Sequence, residues 1–136
     1  MTSTFPFIER TGLEVLEVGR GSCRVRMPIE GNGNHVGIMY AGALFTLAEM
    51  PGGIVFSGVV DTERFYPIVG EVKIRFTAPV TTDAFVNVSL RDEEIERIIN
   101  DLETTGKTKY TLELELTDDA GNVVAKTSGD YFGRSF

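Results

Sequence analysis

From Val36 to Val60 the chain is almost wholly apolar and carries one charge, Glu49. A run of that length can span a bilayer. Three features argue against it. An acid at the centre of a span costs on the order of 3 kcal/mol to insert. Pro51-Gly52-Gly53 interrupts the run. No Lys or Arg cluster flanks it, and Asp61 and Glu63 follow directly. A helix that is apolar all round is otherwise one buried inside protein. The run therefore predicts a buried helix from about Met39 to Met50. Pro51 either ends it or kinks it, with Ile54-Val55-Phe56 as a second helical piece.

The flanking sequence has strand period. Leu13 to Val18 and Ser22 to Met27 predict a hairpin around Gly19-Arg20-Gly21, with Cys23, Val25 and Met27 inward and Arg24 and Arg26 outward. Val72, Ile74 and Phe76 alternate with Glu71, Lys73 and Arg75. Ala84 to Arg91 and Tyr110 to Thr117 alternate in the same way. Asp118 to Asn122 reads as a turn into a last strand, Val123 to Phe132. Ile95, Ile98, Ile99 and Leu102 fall at helical spacing within Asp92 to Glu103, which predicts an amphipathic surface helix. The order β-β-α-β-β-α-β-β does not alternate as a parallel array would. It fits an α+β fold in which a curved antiparallel sheet wraps the apolar helix. Such a sheet leaves an edge strand, and pairing edges across a two-fold axis covers it. A homodimer is therefore expected, with a dimer of dimers as the larger alternative.

The chain has 136 residues and a formal net charge of -7. One domain over residues 1–136 is the natural reading, large enough to bury a core without metals or disulfides. Lys and Arg form no cluster, so nucleic acid is not an expected partner. Neither is a membrane. The one cysteine, Cys23, cannot form an intrachain disulfide. Without a signal-peptide pattern, a reducing cytoplasm is the expected location. Cys23 alternates with Val25 and Met27, which places it in the core. One His and one Cys cannot build a His/Cys zinc site. No cofactor is expected.

Burying a lone carboxylate is expensive, so Glu49 needs a reason to be where it is. One reason is a structural ion pair with an arginine from a neighbouring strand, or a capping role. The other is a poised acid, base or nucleophile with a raised pKa. The helix start carries small residues after Tyr40: Ala41, Gly42 and Ala43. Its first-turn N–H groups hold the positive end of the helix dipole and suit a developing oxyanion. Small residues there equally permit close helix–sheet packing. Gly31, Gly33 and Gly37 miss the spacing of a dinucleotide fingerprint.

The segment Tyr40-Ala41-Gly42-Ala43-Leu44-Phe45-Thr46-Leu47-Ala48-Glu49 resembles the central-helix signature of hotdog-fold thioesterases of the phenylacetate-pathway type. That signature reads His-Gly-Gly, three varied residues, a small polar residue, Leu-Ala, then Asp or Glu. The strand order fits along nearly the whole chain, and Leu112 to Thr127 resembles the family's closing hairpin. A closer resemblance is to an uncharacterised branch whose helix begins Met-Tyr-Ala-Ala/Gly and ends Leu-Ala-Glu.

The resemblance implies a hotdog fold and hydrolysis of an acyl-coenzyme A or other acyl thioester, at sites on the dimer interface. It casts Glu49 as base or nucleophile, the Ala41 N–H as the donor to the carbonyl, and Gly42 as the residue that lets substrate approach. Asn34 corresponds to an Asn that positions the attacking water. The motif's His is Tyr40 here and its first Gly is Ala41. Tyr40 either donates a hydrogen bond or packs. The single histidine, His35, stands in the loop before the helix, near the expected site. Paired with Glu49 it resembles the arrangement of hotdog dehydratases, although their Pro-Gly at the helix start is absent. Lys73, Arg75 and Arg64 are candidate contacts for coenzyme A phosphates, or the solvated faces of their elements. Three functions follow: thioester hydrolase, non-catalytic acyl-thioester or lipid binder, and dehydratase.

Overall fold

The computed structural model describes residues 5–136. A six-stranded antiparallel sheet carries β1 (Glu14–Gly19), β2 (Ser22–Met27), β3 (Phe65–Phe76), β4 (Ala84–Ser89), β5 (Lys107–Thr117) and β6 (Val123–Ser135), in the order β1-β2-β4-β5-β6-β3. Three helices complete it: α1 (Pro6–Thr11), α2 (Ala41–Ser57) and α3 (Asp92–Thr105). The hairpin, the four expected strand positions and both expected helices are present. β5 keeps strict alternation, with Tyr110, Leu112, Leu114 and Leu116 buried and the residues between them exposed. These side chains meet α2, which packs against β2, β3, β4, β5 and β6. Cys23 is buried with Val25 and Met27 as its alternation requires.

The structure departs from expectation in three places. First, α2 is one helix of 17 residues, not two pieces. Pro51 has no N–H to offer the Leu47 carbonyl and its ring crowds that turn. The sheet holds the helix through this weak point. The Tyr110 hydroxyl donates to the Gly52 carbonyl at 2.8 Å, and the Tyr131 hydroxyl donates to the Glu49 carbonyl at 3.2 Å. The two rings stack with centroids 5.4 Å apart, and Tyr110 stacks on Phe56 at 5.6 Å.

Second, β3 begins at Phe65, well before the expected alternation at Glu71. Pro67 and Gly70 disguise its first half. As an edge strand, β3 tolerates a proline. Gly70 is a bulge: Val69 pairs with Tyr131, Glu71 pairs with Asp130, and Gly70 has no partner of its own. Phe76, expected on the core face, is 47% exposed at the far end of this edge.

Third, α1 was not expected. Its signals are Pro6 at the first helical position and Gly12 just past the end at φ +76°, the usual asymmetry of helix termini. Ile8 anchors it in the core. No helix among the described residues is long and apolar enough to cross a membrane.

Gly52 is where α2 and the tyrosine pair meet most closely. A Cβ there would stand 2.1 Å from the Tyr131 ring. Overpacking of this kind costs about 3 kcal/mol at the upper end of its range. Gly52→Ala should lower the denaturation midpoint accordingly, with an unchanged slope, in chemical unfolding followed by far-UV circular dichroism.

Candidate active site

Glu49 projects from α2 into a cleft of about 660 Å³. α1 contributes Phe7 and Ile8, with Phe5 just before it. α2 contributes Gly42, Phe45, Thr46, Glu49 and Met50. The bulged edge of β3 contributes Val69, Gly70, Glu71 and Val72. The lining is therefore apolar apart from Thr46 and two carboxylates. Glu49 is half-buried. Among the described residues its carboxylate has no ion-pair partner and accepts no hydrogen bond; the bond from Tyr131 goes to its backbone carbonyl. Burial alone pushes its pKa above the ordinary glutamate value. Their own burial pushes the Tyr110 and Tyr131 hydroxyls upward, aided at Tyr110 by the neighbouring Tyr131 and at both by the Glu49 charge. Of the two explanations for this acid, a structural ion pair or cap is not what the structure shows. The carboxyl faces a cleft.

The start of α2 presents free donors. Tyr40 is the N-cap and makes no side-chain cap bond. Its carbonyl receives the N–H groups of Ala43 at 3.0 Å and Leu44 at 3.2 Å. The N–H groups of Ala41 and Gly42 have no acceptor among the described residues. They are not wholly unguarded. Tyr40 folds its ring back over the first turn, and a Cβ on Gly42 would lie 2.3 Å from that ring. Gly42 therefore makes room for the Tyr40 side chain, which still remains 61% exposed.

Asn34 stands beside Ala41 in a second cleft of about 440 Å³, with Ile38, Phe76 and Val80 among its walls. The Asn34 side-chain oxygen accepts from the Val36 N–H at 2.9 Å and the Ile38 N–H at 3.3 Å. That oxygen therefore shapes the loop. Gly37, at φ +82°, closes the same turn through its N–H to the Asn34 carbonyl at 3.1 Å. His35 is exposed at the tip and lines neither cleft.

The three cations part company. Arg64 is held by both oxygens of Glu103, at 2.8 and 3.2 Å, and lies over the Phe65 ring. It is absent from both clefts. Lys73 and Arg75 lie on the outer sheet face with Lys126, Glu113 and Glu115, in a shallow groove of about 910 Å³. That groove is larger than the Glu49 cleft and lies apart from Glu49. Cys23 does not take part: burial pushes its thiol up to about 11. No group of three or more metal-ligating side chains occurs among the described residues.

A family profile described as a domain of unknown function, DUF4442, matches residues 1–130. Among solved structures, PA5026 from Pseudomonas aeruginosa is described as a protein of unknown function and probable thioesterase. It is 46% identical with a TM-score of 0.90, over 98% of this chain and 89% of that one. A Shewanella oneidensis protein put forward as a thioesterase is 27% identical with a TM-score of 0.82, over 96% of this chain and 89% of that one. OLEI01261 from Chlorobaculum tepidum, of unknown function, is 21% identical with a TM-score of 0.87, over 98% and 89% respectively, and shows the shared fold. No curated protein matches.

Folding raises the pKa of Glu49, so ionisation costs the folded state and not the unfolded chain. The cost is absent below the ordinary glutamate range and complete above the raised folded value. Glu49→Gln cannot ionise. It should melt at a higher temperature than the native chain at about pH 8, and the gap should close as the pH falls to about 4. Thermal denaturation across that range checks the sign.

Proposed function

Because the chain belongs to the DUF4442 family and has the hotdog fold of thioesterase-named proteins, we propose that it hydrolyses acyl thioesters, with Glu49 as general base or nucleophile. The observation that carries this reading is the unpartnered, half-buried carboxylate of Glu49 opening on an apolar cleft. A carboxylate with a raised pKa is a better proton acceptor near neutrality than an exposed one.

As base, Glu49 takes a proton from water as its oxygen attacks the thioester carbonyl. The tetrahedral oxyanion then collapses, the carbon–sulfur bond breaks, and the thiolate leaves with the proton returned by Glu49. As nucleophile, Glu49 forms a mixed anhydride, expels the thiolate, and is released by water. In both routes charge develops on the carbonyl oxygen, where backbone donors at a helix start are effective. The free Ala41 N–H is the natural donor.

Ala41 and Glu49 cannot both serve one carbonyl within one protomer. Eight residues separate them, about 12 Å along the helix. A helical side chain leans back by roughly one turn, which does not close that distance. Two copies arranged about a two-fold axis would bring Glu49 of one helix to the Ala41 N–H of the other. Asn34, beside Ala41, would then face the reacting water. The proposed unit is a homodimer, joined at the β3 edge, with a dimer of dimers as its possible extension. Lys73 and Arg75, on that edge strand, would meet the phosphates of a coenzyme A carrier.

A second reading is favoured by Tyr40, which stands at the motif's His position and covers Gly42. It is a binder that keeps the cleft and lacks turnover. Thiol release from a panel of acyl-coenzyme A esters separates the two. Under the hydrolase reading, Glu49→Gln loses at least about 100-fold in kcat while the oligomer persists. Undiminished turnover in that variant rules out the mechanism, and binding without turnover in the native chain favours the binder.

A further inference from the structure

α2 presents one continuous face to the Glu49 cleft. Gly42, Phe45, Thr46, Glu49 and Met50 all border it, at the spacing of a single helical stripe. Thr46 and Glu49 are the polar side chains of that stripe. Thr46 is also the buried polar residue of a helix whose other buried residues are apolar. Three residues apart on a helix, the two Cβ atoms stand about 5–6 Å from each other. Helical side chains lean toward the helix N-terminus, so the longer Glu49 side chain reaches back over the turn that carries Thr46.

Hydrogen bonding limits what this pair can do. The Thr46 hydroxyl donates its one proton to the Gly42 carbonyl at 2.8 Å. Only lone pairs remain on that oxygen, so any further bond it makes is one it accepts. An ionised Glu49 is also acceptor-only. The two side chains therefore cannot bond each other directly. A water molecule satisfies both, because it carries two protons and gives one to each. Two bonds of about 2.7 Å span the gap between them. The apolar side chains of Phe45, Met50, Ile8 and Val72 around them offer that water no competing partner.

We propose that Thr46 is the water-positioning residue of this cleft: its hydroxyl accepts one proton of the attacking water while Glu49 accepts the other. The role rests on the hydrolase reading above, in its general-base form, and deepens it by naming the second partner of the water. With both protons engaged, the lone pairs of the water oxygen are left for the thioester carbonyl carbon. Glu49 takes its proton as the carbon–oxygen bond forms. The carbon–sulfur bond then breaks, and Glu49 passes that proton to the departing thiolate. The proton held by Thr46 stays on the oxygen and leaves with the carboxylic acid. Asn34 has amide donors and would meet the same water at its oxygen, so the two residues do not compete.

Three substitutions test it. Thr46→Val and Thr46→Ala both remove the hydroxyl, the first keeping the side-chain shape and the second not. Thr46→Ser keeps the hydroxyl without the methyl. Each is assayed by thiol release from the acyl-coenzyme A ester that the native chain hydrolyses fastest, with the fold checked by far-UV circular dichroism. One neutral hydrogen bond to the reacting water is worth roughly tenfold at the upper end of its range. Thr46→Val and Thr46→Ala should therefore each lose about tenfold in kcat with little change in KM, and Thr46→Ser should stay close to native. Undiminished kcat in Thr46→Val and Thr46→Ala overturns the proposal. So does a series ordered by shape, with Thr46→Val native-like and Thr46→Ser and Thr46→Ala impaired, which would make Thr46 a packing residue. A loss carried by KM would place the hydroxyl against the acyl group or its carrier and overturns it too. All three results leave the hydrolase reading intact. No turnover of any ester by the native chain sinks that reading, and this proposal with it.

Discussion

The desolvation of one carboxylate is the constraint around which this molecule is arranged. Glu49 sits on a helix whose other buried residues are apolar apart from Thr46, and nothing among the described residues neutralises it. A fully sealed site would force such an acid to stay protonated. Here the side chain is only half-buried, because the cleft between α1, α2 and the β3 edge admits solvent or a ligand. The arrangement is costly for the apo fold and suited to proton transfer.

That carboxylate needs a rigid carrier, and the stretch after it is the weakest in α2. Pro51 withholds a helix hydrogen bond and Gly52-Gly53 adds backbone freedom. Tyr110 and Tyr131 compensate from the sheet, one bonded to the Gly52 carbonyl and the other to the carbonyl of Glu49 itself. Gly52 is small because the Tyr131 ring needs its space. The position of Glu49 thus depends on β5 and β6, which are far from it in sequence.

Much of this was legible in the residues, for local reasons. The alternation of β2, β4 and β5 and the apolar run of α2 are periodic signals that burial imposes directly. Glu49 stood out because charge is rare in such a run. What escaped notice depends on contacts distant in sequence. Pro67 and Gly70 hid half of β3, since neither looks like a strand residue until its edge position and bulge are seen. Arg64 looked available, but Glu103, 39 residues away, holds it. Phe5 and Phe7 went unread because α1 is short, although Pro6 and Gly12 bracket it.

The direct test of the account is a residue-specific titration of Glu49 by carbon NMR on chain labelled at glutamate carboxyls, assigned with Glu49→Gln. The account expects its resonance to titrate above the exposed glutamates and to move when an apolar acyl thioester analogue that cannot be hydrolysed binds. A Glu49 carboxyl that titrates with or below the exposed glutamates, and ignores the analogue, would contradict it.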